Sequence, residues 1–319
     1  MPRYLITGGA GFIGSHIVDA LVERGEDVVV FDDLSNGRLE NIAHHGEKVQ
    51  FVRGDLRDLA ALQDAMRGVD FVSHQGALGS VPRSIAAPLP THEVNATGTL
   101  NVLLAARDAG VKRVVYASSS SVYGANPTLP KVETLPTLPI SPYALSKLTA
   151  EEYCRIFTLV YGLETVALRY FNVFGPRQRP DSQYAAVIPK FIDAMRQGER
   201  PVINGDGTQS RDFTYVSNNV QANLLAFEAP AAQVSGRTFN IACNGQFSLL
   251  ELVAELNAAL GTTLEPEFRP ERAGDVKHSR ADVDAAAAAL GYVPDVSFAE
   301  GVRRTVEQTR RVAQEFSRA

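Results

Sequence analysis

Thr7-Gly8-Gly9-Ala10-Gly11-Phe12-Ile13-Gly14 follows an apolar run at 4–7 and opens a stretch of helical apolar spacing at 12–24. In that strand–turn–helix setting Gly8 permits a tight turn. Gly11 lets backbone come close to a pyrophosphate, and Gly14 allows the helix to pack tightly against the strand. The helix start then presents its partial positive charge to the phosphates. Asp32 ends the next apolar run, eighteen residues after Gly14, where a carboxylate can bind ribose hydroxyls and repel a 2′-phosphate. This favours NAD over NADP, with Arg38 nearby as the one opposing feature.

Outward from this motif, short β-rich runs at 27–31, 49–53, 71–74, 113–117 and 165–168 alternate with helical patterns near 58–67, 95–109 and 143–161. Gly25 and Gly110 sit where helix C-caps belong. Such alternation predicts an α/β fold, a Rossmann-type doubly wound parallel sheet covered on both faces. After Asn172 the pattern breaks. Gly175-Pro176-Arg177-Gln178-Arg179-Pro180 reads as a loop, followed by helical segments at 187–197, 248–260, 282–290 and 298–316 and one further strand near 239–242. We expect an NAD-binding domain at 1–172. Residues 173–319 then form a smaller mixed α/β domain, mainly for substrate contacts, with part of 213–262 returning to the first domain.

Length and charge narrow the function classes. The 319 residues carry a net charge of −5 and 45% hydrophobic residues, which gives no electrostatic footprint for nucleic acid or membrane. Arginines at 303, 304, 310, 311 and 318 are interleaved with Glu307 and Glu315 and read as a solvated helix face. Cys154 and Cys243 form no motif, so a reduced cytoplasmic setting is expected. The six histidines make no metal-ligand spacing, no metal is expected, and His44-His45 reads as loop surface.

The chemistry-bearing stretch is Tyr143-Ala144-Leu145-Ser146-Lys147. Residues four apart share a helix face, so an ammonium lies beside a phenol and is expected to lower its proton affinity toward neutrality. Asp55, after the third strand, could accept from an adenine amino group.

At this point the chain resembles the extended short-chain dehydrogenase/reductases, and within them the NAD-dependent nucleotide-sugar 4-epimerases. The resemblance runs along nearly the whole length. Besides the glycine turn and the Tyr–Lys pair, it is carried by Gly54-Asp55-Leu56, Val94-Asn95-Ala96-Thr97-Gly98-Thr99 and Ser118-Ser119-Ser120-Ser121-Val122-Tyr123-Gly124. Further on come Arg169-Tyr170-Phe171-Asn172, Gly205-Asp206-Gly207, Arg211-Asp212-Phe213 and Arg272-Ala273-Gly274-Asp275. It implies that Tyr143 is the acid/base, Lys147 holds the nicotinamide ribose, and Ser119 bridges the sugar oxygen. It implies cofactor contacts from Gly8, Gly11, Phe12, Ile13, Gly14, Asp32, Asn36, Asp55, Leu56, Gln75, Ala77, Asn95, Ser118 and Tyr170. Substrate contacts are implied for Ser80, Ser120, Asn172, Val187, Lys190, Asn204, Arg211, Arg272, Asp275 and Ser279.

The implied activity is reversible C4 epimerisation of UDP-hexoses, with NAD as cofactor and a homodimer built on the helices near 95–109 and 143–161. Superfamily dehydratases place an Asp-Glu pair after the position of Ser119; here it is Ser120-Ser121, which removes the second acid–base pair that elimination needs. Gln75-Gly76-Ala77 departs from the usual two small residues, with Gly76 still letting backbone approach the cofactor. Where relatives restricted to glucose and galactose carry a tyrosine, this chain has Ser279, so room for N-acetylated hexosamines is expected. The alternative reading is another nucleotide-sugar oxidoreductase, or a decarboxylase of a UDP-uronic acid, that also begins with C4 oxidation. A catalytically silent nucleotide sensor is disfavoured by the intact Tyr–Lys pair.

Overall fold

A computed structural model of the protein describes residues 1–179, 186–271 and 277–316. Seven strands, β1 Arg3–Thr7, β2 Asp27–Asp32, β3 Val49–Arg53, β4 Phe71–His74, β5 Arg113–Ser119, β6 Glu164–Tyr170 and β7 Arg237–Ile241, form one parallel sheet. Their spatial order is β7-β6-β5-β4-β1-β2-β3. The connections run outward in opposite directions on either side of the β4/β1 boundary. That boundary is the topological switch point, where a crevice opens beyond the carboxyl ends of the strands.

Alternation along β1 shows why both faces are covered. Tyr4 and Ile6 join one apolar core with Ile17, Val18 and Leu21 of α1 (Phe12–Glu23). Leu5, on the other face, joins a second core. Leu62 of α2 (Leu59–Ala65), Val102 and Leu103 of α3 (Gly98–Ala109), and Ala150, Cys154 and Phe157 of α4 (Pro142–Tyr161) supply that second layer. Helix α5 (Val216–Glu228) lies beside α1 on the first face through Val220, Leu224 and Phe227. The chain has therefore recrossed the sheet before entering β7, which pairs in parallel with β6.

A third core is made by Phe174, Ile188, Phe191, Ile203, Phe213, Leu252, Leu256, Phe298 and Val302. Around it lie two-residue and three-residue strand pairs, including Ser210–Arg211 against Phe247–Ser248 and Val202–Asn204 against Glu267–Arg269. This cluster stands at the carboxyl edge of the sheet, as the contacts of Phe12 and Ile13 with it show.

One helix boundary differs from the sequence expectation of 95–109. Glu93–Thr97 forms a π-helical turn, and the regular helix begins at Gly98. A Cβ on Gly98 would lie 2.8 Å from the Leu56 Cβ, so the absent side chain is what lets this helix approach the loop after β3. Helix α4 starts just before Tyr143 for local reasons. The Ser141 side chain accepts from the Ala144 N–H, Pro142 occupies the first turn, and Gly162 ends the helix at φ 71°.

Candidate active site

A cleft of about 1300 Å³ lies over the switch point. Its floor is the glycine turn. Gly8 adopts φ +66°, and its N–H donates to the Phe31 carbonyl at 2.8 Å. A Cβ on Gly8 would meet the Gly76 backbone at 2.7 Å, and one on Gly14 would come within 2.2 Å of the Gly8 oxygen. Gly76 therefore serves first to let the two switch-point loops touch. The turn leaves the start of α1 open to the cleft, and Gly8, Gly11, Phe12, Ile13 and Gly14 all line it.

Asp32 is buried at the end of β2 and lines the same cavity. It accepts N–H bonds from Ala10 at 3.0 Å and Leu34 at 2.8 Å. Burial raises its proton affinity and these two amides oppose the rise. Asn36 and Arg38 stand beside it. Asp55 also lines the cleft but grips Arg57 in a bidentate pair, at 2.5 Å and 3.0 Å, which holds its carboxyl below the ordinary range. Leu56, Gln75, Ala77, Ser118 and Tyr170 complete this end. Gln75 donates to Ser73, Tyr170 and Asn223 at 2.9–3.2 Å, and Ser118 donates to Glu151 at 2.7 Å.

Tyr143 and Lys147 project from the first turns of α4 toward the carboxyl end of β5. Burial raises the Tyr143 phenol above its ordinary value, and the neighbouring Ser119 opposes the rise. The net direction differs from the sequence expectation. The Lys147 ammonium donates to the Ala117 carbonyl at 2.8 Å and lies 5.0 Å from the Tyr116 ring centroid. Its own burial pulls it down to about 7, so desolvation dominates both groups. Ser119 accepts from the Ser121 N–H at 3.2 Å and the Ser121 hydroxyl at 2.9 Å. Among the described residues lining the cleft, carboxylates occur only at Asp32, Asp33 and Asp55. None adjoins Ser119.

The opposite wall holds Ser80, Ser120, Asn172, Arg211 and Ser279. Asn172 sits at φ 36° with its amide donating to the Asp212 carbonyl at 3.1 Å. Arg211 donates to the Ser210 and Lys277 carbonyls at 2.9 and 3.0 Å. Ser279 is pinned through its N–H to the Ser210 oxygen at 3.1 Å.

Four expected contacts do not line the cleft. Asn95 is turned into the wall, where it accepts from the Leu78 N–H at 2.8 Å and donates to Ser146 at 3.1 Å. It braces the Leu78 loop against α4. Val187 packs on the third core, Lys190 lies one turn further along the same helix, and Asn204 receives Gln209 on its carbonyl at 2.6 Å. Arg272 and Asp275 lie outside the described residues.

Residues missed from the sequence include Arg83, Arg177, Gln178, Arg179 and His278, all lining the cleft. The Gly-Pro-Arg-Gln-Arg loop was the visible signal for three of them. His74 was also missed. It is buried between Thr7 at 2.6 Å and Thr99 at 2.9 Å, and burial together with Lys147 lowers it to about 3. It is therefore a neutral strut at the switch point.

A nucleotide-binding sheet edge and a Tyr–Lys helix facing a Ser-rich strand end define a dinucleotide-dependent oxidoreductase-type site. The family described as NAD dependent epimerase/dehydratase matches residues 4–242, and the chain belongs to it. It is 40% identical over 317 residues to the UDP-glucose 4-epimerase of Mycolicibacterium smegmatis, covering 98% of this chain and 100% of that one. Among solved structures it is similar to a UDP-N-acetylglucosamine 4-epimerase from Methanobrevibacter ruminantium in complex with UDP-N-acetylmuramic acid. That match has 42% identity, a TM-score of 0.93 and coverage of 98% and 99%. A UDP-glucose 4-epimerase with UDP-glucose from Thermotoga maritima aligns at 37% identity and a TM-score of 0.92, again covering 98% and 99%.

Proposed function

We propose that this protein inverts C4 of UDP-hexoses reversibly through a 4-keto sugar, using NAD and accepting UDP-GlcNAc/UDP-GalNAc as well as UDP-Glc/UDP-Gal. The observation that carries the reading is Tyr143 beside Ser119, with Lys147 one turn on, in the cleft that the glycine turn opens. The turn and the close start of α1 exist because Gly8 and Gly14 admit no Cβ, and Gly11 lets backbone come close to a pyrophosphate there. Asp32, at the β2 end, offers its carboxylate to ribose hydroxyls. Bound NAD supplies the hydride acceptor and donor, and a positive ring charge that favours the phenolate.

The chain's own groups divide the remaining work. Tyr143 takes the 4-hydroxyl proton and returns it after the sugar has turned over. Ser119 holds the same sugar oxygen, and Lys147 binds the cofactor ribose. Arg211 holds the diphosphate by charge-assisted bonds, so that the sugar alone reorients while its remote anchor stays fixed. Retaining Ser at 279 leaves room for an acetamido group. The absence of a carboxylate beside Ser119 among the described residues lining the cleft argues against dehydration.

We further propose a cytoplasmic homodimer. Leu145, Ile156, Leu159 and Val160 are exposed along α4, with Ile85 and Leu89 exposed on the short helices before it. Exposed apolar side chains of this kind fit a second copy. Residues 1–172 would form the cofactor domain, joined by β7 and α5, and the remainder would supply the sugar side.

Tyr143→Phe tests the assignment. It removes only the proton-transferring oxygen, so epimerisation of UDP-GlcNAc and UDP-Glc is expected to vanish while purified protein retains NAD. Full turnover in this variant overturns the proposal. Net NADH accumulation by the wild type with a UDP-sugar would instead favour the oxidoreductase or decarboxylase reading.

A further inference from the structure

Two turns into α1, one carboxylate gathers two imidazoles. Asp19 Oδ1 lies 2.7 Å from His45 Nε2 and 3.2 Å from His44 Nε2. The ligand atoms of the three residues all fall within 4.8 Å of one another. The other oxygen, Oδ2, is held by the Arg177 guanidinium at 2.8 Å, with His16 Nδ1 at 3.9 Å. The carboxylate thus shows one oxygen to the histidines while its second is fixed from behind.

We propose that Asp19, His44 and His45 form a binding site for a divalent transition cation of the Zn²⁺ class. Two imidazoles and one monodentate carboxylate are a donor set suited to Zn²⁺, Cu²⁺ or Ni²⁺ and poorly suited to Mg²⁺ or Ca²⁺. Metal–ligand bonds of about 2.0–2.2 Å in tetrahedral geometry separate neighbouring ligand atoms by roughly 3.3 Å. The His44–Asp19 spacing of 3.2 Å already matches. His45 has to withdraw by about half an ångström to match that spacing. The fourth position would be taken by water, since His44 is half exposed on that side.

The frame that carries the imidazoles is built in. Ile42 is buried in the first core, and the Asn41 amide donates to the Ala10 carbonyl at 2.8 Å. The His45 N–H donates to the Ile42 carbonyl at 3.1 Å. Gly46, at φ 56° and ψ −131°, kinks the chain directly after the pair. Adjacent residues then present their rings with centroids 4.0 Å apart. Arg177 pairs electrostatically with the second carboxylate oxygen, which leaves Oδ1 as the oxygen nearest the imidazoles. It also lines the sugar-nucleotide cleft.

The test uses untagged, NAD-loaded full-length protein freed of metal by chelation. Titration calorimetry with ZnCl₂ is expected to show one equivalent bound in the micromolar range, with no comparable signal from MgCl₂. Co²⁺ is expected to give the visible absorption of a four-coordinate His-containing site. His44→Gln, on an exposed side chain that folding does not need, and His45→Ala are each expected to weaken Zn²⁺ at least tenfold. His92→Ala, on the other side of the sheet, leaves it unchanged. Zn²⁺ binding that is absent below millimolar, equally strong in His44→Gln and His45→Ala, or matched by Mg²⁺ overturns the proposal.

Discussion

Replacing Glu151 by Gln removes one negative charge from a closed interior. Glu151 on α4 and Arg169 on β6 are each 5% exposed and meet at 2.5 Å and 3.1 Å. The same carboxylate accepts the Ser118 hydroxyl at 2.7 Å, and Arg169 donates to the Tyr123 hydroxyl at 2.8 Å. Gln preserves volume and one acceptor, but leaves a guanidinium in low dielectric without its counter-charge. Breaking one half of a buried pair costs about 3–5 kcal/mol, against a total stability on the order of 5–15 kcal/mol. The double change Glu151→Leu/Arg169→Met removes both charges and forfeits mainly two hydroxyl partners, at about 1–3 kcal/mol each. It is expected to be no worse than Glu151→Gln, far short of the sum of the two single changes. The chain has no tryptophan, so urea unfolding is followed by far-ultraviolet circular dichroism, and stability is read from midpoint and slope. A Glu151→Gln loss below about 1 kcal/mol, or a double variant as unstable as the summed singles, would refute the buried-pair reasoning.

Asp32→Asn is expected to narrow the preference for NAD over NADP, measured as the ratio of dissociation constants; an unchanged ratio removes Asp32 from the ribose site. Ser279→Tyr is expected to suppress UDP-GlcNAc/UDP-GalNAc turnover at least tenfold and spare UDP-Glc/UDP-Gal, since only the acetamido group meets the ring. Equal loss on both pairs defeats the pocket argument. Asp212 is fully buried and pushed up to about 6 by desolvation, against backbone N–H bonds from Ala281 and Cys243. Its folded value lies above the unfolded one, so the native state holds the proton longer and this group's contribution falls as pH rises from about 4 through 6. Wild type is expected to lose up to about 3 kcal/mol relative to Asp212→Asn over that range, in urea midpoints taken at several pH values. Parallel curves would show that Asp212 does not titrate there.

Legibility depended on how local each interaction is. The glycine turn could be read directly, because a Cβ at Gly14 collides with Gly8 only six residues away in a turn the spacing dictates. The start of α4 was readable for the same reason, since Ser141 and Pro142 act on the adjoining turn. Strand–helix alternation then determined the doubly wound sheet, because period-2 and period-3.6 burial leave few other ways to cover both faces. Tertiary structure alone decided that Asn95 braces Leu78 and that Val187, Lys190 and Asn204 stand off the cleft, since those outcomes turn on how loops and helices rotate. It also decided that burial sets the direction of Tyr143's proton affinity, because desolvation comes from residues distant in the chain. The Asp19–His44–His45 cluster and the Glu151–Arg169 pair have the same origin. Each joins side chains 18 or more positions apart, at distances that no sequence spacing encodes.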